Sequence, residues 1–477
     1  MTECTETAAG LQLRFDFGVG KPVVGRFDGG KLSSDGGLPL VRQADERLAL
    51  SELASLCIRE KRRPDLVQHD NLLMIRQRLY AMTGLHEDVN DATTLRFDPV
   101  HQLVAGKLSE NRVLASQPTL SRFENSVTAD ELELMQDLMA HVYVKKRKKP
   151  PKKLILDLDT TCDPVHGYQQ LSFFNGFYGT ACYIPLFIFS EDGFPLAALL
   201  RPGNADVGGD AARELRRVLQ ILKSAWPKCT FEFRADAAFC RREVYKVCED
   251  FGVTYYIGLK SNHALRCLAK ELISAGQAEF HAIFGQETLL TKTAWRRKQE
   301  QMRVSSKEEG RMQEAFEAER MTRKVGQLHW KGRAYNEDMR VICRADFTDE
   351  GPELRFVITN SKSGNPRWIY ENKYCGRCQC ENWIKELKSI FCDRLSCQEF
   401  NANQFRLLEF VFAYILLREV RENLSANMRT ISIEQLILRF IRIAVRVEES
   451  VRRILFHWPS SYPWKAEFVA VSAALAT

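Results

Sequence analysis

The chain has 477 residues, of which 45% are hydrophobic and 27% are charged. These are ordinary values for globular proteins and exclude wholesale disorder, and the length predicts two to four domains of roughly 150 residues each. The longest strongly apolar stretch, residues 410–417, is much shorter than the ~20 residues of a membrane helix.

The formal net charge of +7 is modest, so basic residues matter for function only where they cluster. The N-terminal sequence MTECTETAAG lacks the apolar core of a secretory signal. In such a chain, fourteen cysteines are typical of reduced thiols rather than of a disulfide framework. We therefore expect a cytoplasmic protein without membrane association.

Residues 1–143 are predicted to form a mainly helical N-terminal domain. The glycine-rich segments 27–30 and 34–37 come first, and apolar residues at helical spacing follow at 72–82. Ser116, followed by Gln-Pro-Thr, is typical of a helix start. This helix could read DNA or belong to a plain helical hairpin, and the sequence leaves both interpretations open.

A basic linker is predicted at residues 144–153, which contain the sequence KKRKKPPKK. The two prolines prevent a helix from continuing through this segment. Its positive charges are candidates for DNA contact, and a solvated charge run is the alternative. The candidate DNA-binding residues here are Lys145, Lys146, Arg147, Lys148 and Lys149.

From residue 154 the sequence changes to strand-like patterns. Helical periodicity is present at 210–223 and 241–251, and the turn Glu191-Asp-Gly joins two of the predicted strands. The order predicted for residues 154–261 is therefore β-β-β-α-β-α-β. The strands are predicted at 154–159, 182–189, 194–200, 229–233 and 253–259.

Residues 262–365 do not continue that order and are predicted to be an inserted domain. They contain the densely charged run 296–324 and strand-like patterns at 339–343 and 354–359. Helical patterns return at 366–400 and continue through a helical C-terminal region, 401–477. One helical stripe of basic residues in that region would follow a DNA backbone or face solvent. It consists of Arg439, Arg442, Arg446 and Arg453.

Acidic residues stand at the ends of two predicted strands. Asp157 and Asp159 share one face of the strand 154–159 because side chains alternate, and Asp236 follows the strand 229–233. Carboxylates on neighbouring strand ends suit Mg²⁺, which binds one or two carboxylates and keeps its waters. For either position alone, a capping or turn role is the alternative.

A third acidic residue lies on a predicted helix. At about 100° per residue, Tyr374, Arg377, Glu381 and Lys388 fall within an arc of about 60°. The apolar residues of 383–391 lie on a neighbouring stripe that would face the core. The polar stripe is either a functional surface or a solvated face with ion pairs at helical spacing.

These features together resemble the bacterial insertion-sequence transposases of the DDE type. The spacing of Tyr374, Arg377, Glu381 and Lys388 reproduces the Tyr-x2-Arg-x3-Glu-x6-Lys signature of one branch of that family. The resemblance covers nearly the whole chain. It includes DATTLRFD from Asp91, LASQPTLSRFE from Leu114 and RPGN from Arg201, but not the charged run 296–324.

The resemblance implies an α/β protein with a ribonuclease H-like catalytic core interrupted by a β-containing insertion. It implies that Asp159, Asp236 and Glu381 bind two Mg²⁺ ions, for which Mn²⁺ would substitute, with Asp157 as the alternative first acid. The substrates would be double-stranded DNA with terminal inverted repeats and target DNA, cut and joined by a homodimer or larger assembly at the nucleoid. Implied DNA contacts are Tyr374, Arg377, Lys388 and a base-stacking tryptophan, Trp330 or Trp295, and a place in the core is the alternative for each tryptophan.

Three other interpretations compete with this one. Cys375, Cys378 and Cys380 have a metal-like spacing, but a regular helix would point them apart, so a zinc site requires the helix to break near Gly376. The chain could also be an inactive or domesticated DNA-binding protein of the same fold. The third alternative is another metal-dependent nuclease.

Overall fold

The computed structural model describes residues 3–7, 10–15, 17, 21, 23–106, 113–284, 320–332, 338–348 and 350–476. Trp295 and most of the charged run 296–324 lie outside the described residues. The strands of the described part are β1 (Glu3–Thr7), β2 (Gly10–Phe15), β3 (Val23–Arg26), β4 (Leu32–Ser33), β5 (Lys153–Thr160), β6 (Asp163–Pro164), β7 (Phe173–Asn175), β8 (Thr180–Tyr183), β9 (Leu186–Ser190), β10 (Pro195–Leu199), β11 (Thr230–Ala235), β12 (Thr254–Leu259), β13 (Thr322–Trp330), β14 (Met339–Thr348), β15 (Gly351–Thr359), β16 (Val445–Glu449) and β17 (Ile454–His457).

In the same part, the α-helices of the N-terminal third lie between β4 and β5, and the later ones are interspersed with the strands that follow. They are α1 (Leu38–Leu48), α2 (Leu50–Cys57), α3 (Asn71–Thr83), α4 (Ala92–Leu95), α5 (Pro99–Ala105), α6 (Gln117–Glu124), α7 (Ala129–Lys146), α8 (Val207–Ala225), α9 (Arg242–Asp250), α10 (His263–Leu268), α11 (Lys270–Phe284), α12 (Pro366–Trp368), α13 (Gln379–Ser389), α14 (Phe400–Glu422), α15 (Ile433–Leu436) and α16 (Lys465–Leu475).

A mixed eight-stranded sheet lies at the centre, in the order β10-β9-β5-β11-β12-β15-β14-β13. Strands β5, β11 and β12 are parallel, and the other pairs are antiparallel. The predicted α/β class is confirmed. Within residues 154–261, the strands of this sheet follow the predicted order β-β-β-α-β-α-β, and the short strands β6, β7 and β8 are additional. The β5 side chains are buried on both faces, as expected for a central parallel strand covered by helices.

The predicted strand 182–189 is divided in two. β8 ends at Tyr183 and β9 begins at Leu186, with Pro185 between them. Proline donates no backbone hydrogen bond, so the ladder stops there. As a result β8 leaves the central sheet and pairs with β6 and β7 in a small sheet beside it.

The strands of the predicted insertion extend the central sheet. β15 pairs with β12 over Leu259–Tyr256, and β14 and β13 follow outward in antiparallel register. The segment therefore adds three strands to one side of the sheet instead of forming a sheet of its own.

The C-terminal region differs from the predicted continuous helix. The chain leaves a π-helical turn, Ile437–Ile441, and then forms the hairpin β16–β17. The alternation of apolar and polar residues in Val445–Glu449 is a strand pattern, with Val445 and Val447 buried. The predicted arginine stripe is therefore wrong, because Arg446 lies on a strand and Arg453 follows a turn.

The N-terminal third and the C-terminal region form one packed body. β4 pairs with β16, and α1 packs against α14 and α16. Helix α14 is buried on every face, and the buried ion pairs Arg78–Glu124 and Arg406–Glu124 connect it to α3 and α6. In the described part of the chain, no helix combines the length and hydropathy needed to cross a membrane.

Two glycines make the close contact between these terminal regions possible. The amide groups of Gly36 and Gly37 donate to the carbonyl oxygens of Ile443 and Ile441 at 2.8 and 3.0 Å. A Cβ atom added at Gly37 would collide with the carbonyl oxygen of Phe440. The contact therefore needs residues without side chains.

Gly37→Ala should lower the free energy of unfolding by about 1–3 kcal/mol, because the added methyl group displaces the backbone of residues 440–441. Urea unfolding measures the change. Gly209→Ala in α8 is the matched control: a Cβ there meets nothing within 4 Å, so stability should stay equal or rise slightly. Equal stability of the two variants would contradict the packing described.

Candidate active site

Two of the predicted acids meet at one edge of the central sheet. β5 and β11 are parallel neighbours, so their carboxyl ends lie side by side. Asp159 is the penultimate residue of β5, and Asp236 directly follows β11. Asp236 caps the 3₁₀ turn Ala237–Phe239 by accepting a hydrogen bond from the Ala238 amide at 2.9 Å. The predicted neighbourhood of these two strand ends is confirmed.

The third acid comes from an irregular helical segment that crosses this edge. After α12 the chain forms a π-helical turn, Ile369–Tyr374, then a 3₁₀ turn, Cys375–Cys378, and only then the regular helix α13. The segment was predicted as one regular helix. The deviation coincides with Gly376, where a Cβ atom would collide with the guanidinium of Arg234.

Arg377 connects the acids. Its Nη1 donates to Oδ2 of Asp159 at 2.9 Å, and its Nη2 lies 3.9 Å from Oε1 of Glu381. Asp159 is buried, whereas the Glu381 side chain is 56% exposed. Both acids therefore face the same guanidinium, one from the sheet and one from solvent.

The electrostatics of Asp159 show that the acids influence one another. Burial is the main cause that raises its pKa to about 6, and the nearby Asp236 and Glu381 add to the rise. The positive charge of Arg377 and the hydrogen bond from the Thr160 amide oppose it. A buried carboxylate of this kind is stabilised by an additional cation.

Asp157, the alternative first acid, is occupied by another partner. Arg234 on the neighbouring strand donates two hydrogen bonds to its carboxylate at 2.6 and 2.5 Å. The same guanidinium donates to the carbonyl oxygen of Lys373 at 3.1 Å. Asp157 is fully buried and has its charge matched inside the fold, which favours Asp159 as the functional acid.

Tyr374 packs beside Asp236 through a second close approach. A Cβ atom at Gly258 of β12 would lie 2.7 Å from the Tyr374 hydroxyl and 2.8 Å from the Ala237 amide. Burial raises the pKa of Tyr374, and the charge of Arg377 opposes that rise. The phenol therefore stays protonated and can donate a hydrogen bond toward the acids.

Lys388 lies near the end of α13 and contacts the residues that follow β5. Its Nζ donates to the Cys162 carbonyl oxygen at 2.8 Å and lies 3.0 Å from Oδ1 of Asp163. Burial raises the pKa of Asp163 to about 6, and Lys388 opposes the rise. Sequence reasoning missed Asp163, because nothing in its local pattern shows that a lysine far along the chain is its partner.

A hairpin of exposed aromatic residues stands next to the acids and was also missed. Phe177 is 88% exposed, and Phe174 and Tyr168 are exposed as well. Burial, followed by the nearby Cys162, Asp159 and Asp236, raises the pKa of Tyr178 in the same hairpin. The β7–β8 hairpin thus presents flat apolar surface close to the acids.

The predicted basic linker is partly used inside the fold. α7 extends to Lys146, which pairs with Glu419 and, at 2.6 Å, with Glu422 of α14. Arg147 pairs with Asp192 at 2.8 Å. The remaining candidates, which are exposed and stay predicted DNA contacts, are Lys145, Lys148 and Lys149.

Trp330 does not join the acids. It ends β13, the outer strand of the sheet, and packs partly against the core. β13 lies five strands from β5, or about 24 Å at ~4.8 Å per strand. Its role in base stacking stays a prediction, and it requires bound DNA to extend as far as β13.

The zinc alternative at the signature segment has no geometric support. Cys380 is buried, Cys378 is exposed and Cys375 is half-buried. Neither these three thiols nor the three acids bring their ligand atoms within 4.8 Å of one another. In the case of the acids, the Arg377 guanidinium lies between the carboxylates of Asp159 and Glu381.

One protein family matches nearly the whole chain. The family model of the transposase DDE domain, group 1, matches residues 15–477. No curated protein matches the chain. Among solved structures, the cryo-EM structure of the piggyBac transposase synaptic complex with hairpin DNA is similar, with 11% identity, a TM-score of 0.40, and coverage of 86% of this chain and 79% of that one.

The family match thus defines the class of protein, a transposase with a DDE domain. The chain belongs to the family of transposase DDE domains, group 1, over nearly its whole length.

In the metal-free protein, Asp159→Asn should raise stability in a pH-dependent way. Because the pKa of Asp159 is about 6 when folded against 3.8 ordinarily, its ionisation lowers the free energy of unfolding as pH rises from about 4 to 6. The variant should exceed the wild type by about 2–3 kcal/mol at pH 8 and by little near pH 4.

Urea unfolding at both pH values, in a chelating buffer, measures this difference. Glu133→Gln on the exposed face of α7 is the control and should show no pH-dependent gain. A variant that is less stable than the wild type at pH 8 would show that the charge of Asp159 stabilises the fold.

Proposed function

We propose that this chain is a metal-dependent DNA transposase of the bacterial insertion-sequence type, with Asp159, Asp236 and Glu381 as its catalytic acids. Its reaction is the cutting of the ends of a mobile element and their joining to target DNA. The observation that carries the proposal is the convergence of Asp159 and Glu381 on Arg377 at the sheet edge where Asp236 also lies.

The topology supports a ribonuclease H-like core. In order along the sheet, β10-β9-β5-β11-β12 are the third, second, first, fourth and fifth strands of the core. The first three are joined antiparallel, and the first, fourth and fifth are parallel. This order brings the ends of the first and fourth strands together, and those ends carry Asp159 and Asp236.

The donor set fits hard divalent cations. Asp159, Asp236 and Glu381 supply only carboxylate oxygens, which Mg²⁺ prefers and Mn²⁺ accepts. When bound, two such ions would activate the attacking oxygen and stabilise the leaving oxygen of an in-line displacement at phosphorus. A cation would stabilise the ionised form of the buried Asp159, which burial and the nearby Asp236 and Glu381 disfavour.

The cationic side chains around the acids would hold the DNA strand. Arg377 is anchored to Asp159 and points its second Nη atom toward the exposed Glu381, where a phosphate would approach. Lys388 is 28% exposed and can reach a neighbouring phosphate. Tyr374 can donate its hydroxyl hydrogen bond beside Asp236.

The substrates follow from the proposal. They are double-stranded DNA with terminal inverted repeats and a target duplex, and joining two ends requires a homodimer or a larger assembly. The related structure named above is a synaptic complex with hairpin DNA. An inactive DNA-binding protein and a simple nuclease are outcomes that the next experiment distinguishes.

Asp159→Ala, Asp236→Ala or Glu381→Ala should each abolish Mg²⁺-dependent cutting and strand joining of DNA that carries the element ends, while end binding persists, because each removes a cation ligand. Gel assays of nicking and joining, with binding measured in Ca²⁺, check this. Glu371→Ala, an acid of the same segment paired with Arg367, is the control and should cut normally.

Three outcomes bear on the proposal differently. Wild-type protein that binds the ends but cuts in neither Mg²⁺ nor Mn²⁺ is an inactive relative. Cutting without joining indicates a nuclease. Near-normal cutting by any of the three variants removes that residue from the catalytic set.

Lys388→Met should weaken binding of the DNA end and reduce the slope of log affinity against log salt by about one, because one phosphate contact is lost. Lys465→Met, at an exposed lysine on α16, is the control. Fluorescence anisotropy across salt concentrations measures both, and an unchanged slope for Lys388→Met would contradict phosphate contact.

A further inference from the structure

A second cluster of ligand-type side chains lies in the N-terminal third, apart from the acids of the sheet. Oδ2 of Asp35 is joined by hydrogen bonds to Nε2 of His86 and to Nε2 of His101, each at 2.8 Å. The three ligand atoms lie within 4.8 Å of one another, and in the described part of the chain this is the one group of its kind. Asp35 and His101 are fully buried, and His86 is 19% exposed.

The chemistry of these donors differs from that of the proposed catalytic acids. Two imidazole nitrogens and one carboxylate oxygen are a ligand set for transition metals such as Zn²⁺, whereas all-oxygen sets suit Mg²⁺. Three protein ligands leave one position of a tetrahedral ion for water. The partly exposed His86 is on the side from which an ion and its water would enter.

The spacing is also suitable. Around a tetrahedral ion with bonds of about 2.0–2.1 Å, ligand atoms stand roughly 3.3 Å apart. The two observed nitrogen-to-oxygen distances of 2.8 Å need only small ring rotations to reach that value. Each neutral imidazole would then carry its proton on Nδ1 and present Nε2 to the ion.

The backbone holds these ligands in place from three distant parts of the chain. Asp35 lies in the loop before α1, where its own amide donates to the Ser33 hydroxyl at 3.2 Å and the next two amides bond to residues 443 and 441. His86 follows the end of α3, and His101 lies in α5. Because the loop is fixed by those bonds, the Asp35 carboxylate is positioned before any ion binds.

We propose that Asp35, His86 and His101 form a site for one divalent transition metal of the zinc type. The ion would tie the loop 33–37 to α3 and α5, and through that loop to the C-terminal region. The site is separate from the catalytic acids, so its loss would lower thermal stability without removing the residues of the cutting reaction.

The test uses the full chain, freed of metal with a chelator and then titrated with Zn²⁺ and with Co²⁺. We expect one Zn²⁺ per chain, a higher unfolding temperature, and a Co²⁺ spectrum of nitrogen and oxygen ligation without a thiolate charge-transfer band. Asp159→Ala should keep this ion, since its carboxylate is not a ligand there.

The variants are chosen so that folding does not decide the result. His86→Gln keeps a donor for Asp35 on a partly exposed residue and should fold, yet it should lower Zn²⁺ affinity on the order of 100-fold and cancel the zinc-dependent rise in unfolding temperature. His101→Gln should do the same. His141→Gln on the exposed face of α7 is the matched control and should behave as the wild type.

The proposal is overturned if the metal-free wild type gains no stability from Zn²⁺, or if His86→Gln and His101→Gln retain wild-type affinity. In either case the group is a hydrogen-bonded pair of histidines on one buried carboxylate. A Co²⁺ spectrum dominated by the thiolate band would likewise assign the bound ion to cysteines and overturn it.

Discussion

The structure depends on the matching of buried carboxylates by cations at one edge of the central sheet. Asp157 pairs with Arg234, Asp159 with Arg377, and Glu232 with Lys373. Two of these three cations come from the segment 373–377, which is thereby held across the ends of β5 and β11. Removing Arg234 would leave the fully buried Asp157 carboxylate uncompensated, which costs several kcal/mol. The same guanidinium donates to the Lys373 carbonyl oxygen, so it helps to determine where the segment lies.

The irregular geometry of that segment follows from the same constraint. Lys373 reaches Glu232 of β11 and Arg377 reaches Asp159 of β5, while the backbone at Gly376 passes close to Arg234. The π-helical and 3₁₀ turns change the rotation per residue, and Gly376 lets the backbone approach the guanidinium. Gly258 gives the Tyr374 hydroxyl the same kind of access beside Asp236. Two residues without side chains thus decide how closely the helical segment and the sheet edge approach each other.

Several features could be predicted because they depend on local pattern. The apolar run of β5, the strand β11 and the helices α8 and α9 follow directly from residue spacing, and parallel strands necessarily bring Asp159 and Asp236 to one edge. The predicted helix after residue 442 failed for a physical reason. Its arginines fit a period of 3.6, but the alternating Val445 and Val447 pack as a strand because β4 is available as a partner. Strand pairing with a segment some 400 residues away is invisible to periodicity.

By itself, the sequence determined the class of fold, the strand-end acids and the spacing of the signature residues, since each depends on neighbours within a few turns of chain. Only the tertiary structure showed that Asp157 pairs with Arg234 and that Asp159 pairs with Arg377. It also showed that Lys146 pairs with Glu422 inside the fold and that Asp35 is hydrogen-bonded to two histidines. The physical reason is the same in each case: the role of a charged side chain depends on its partner, and the partner lies far along the chain.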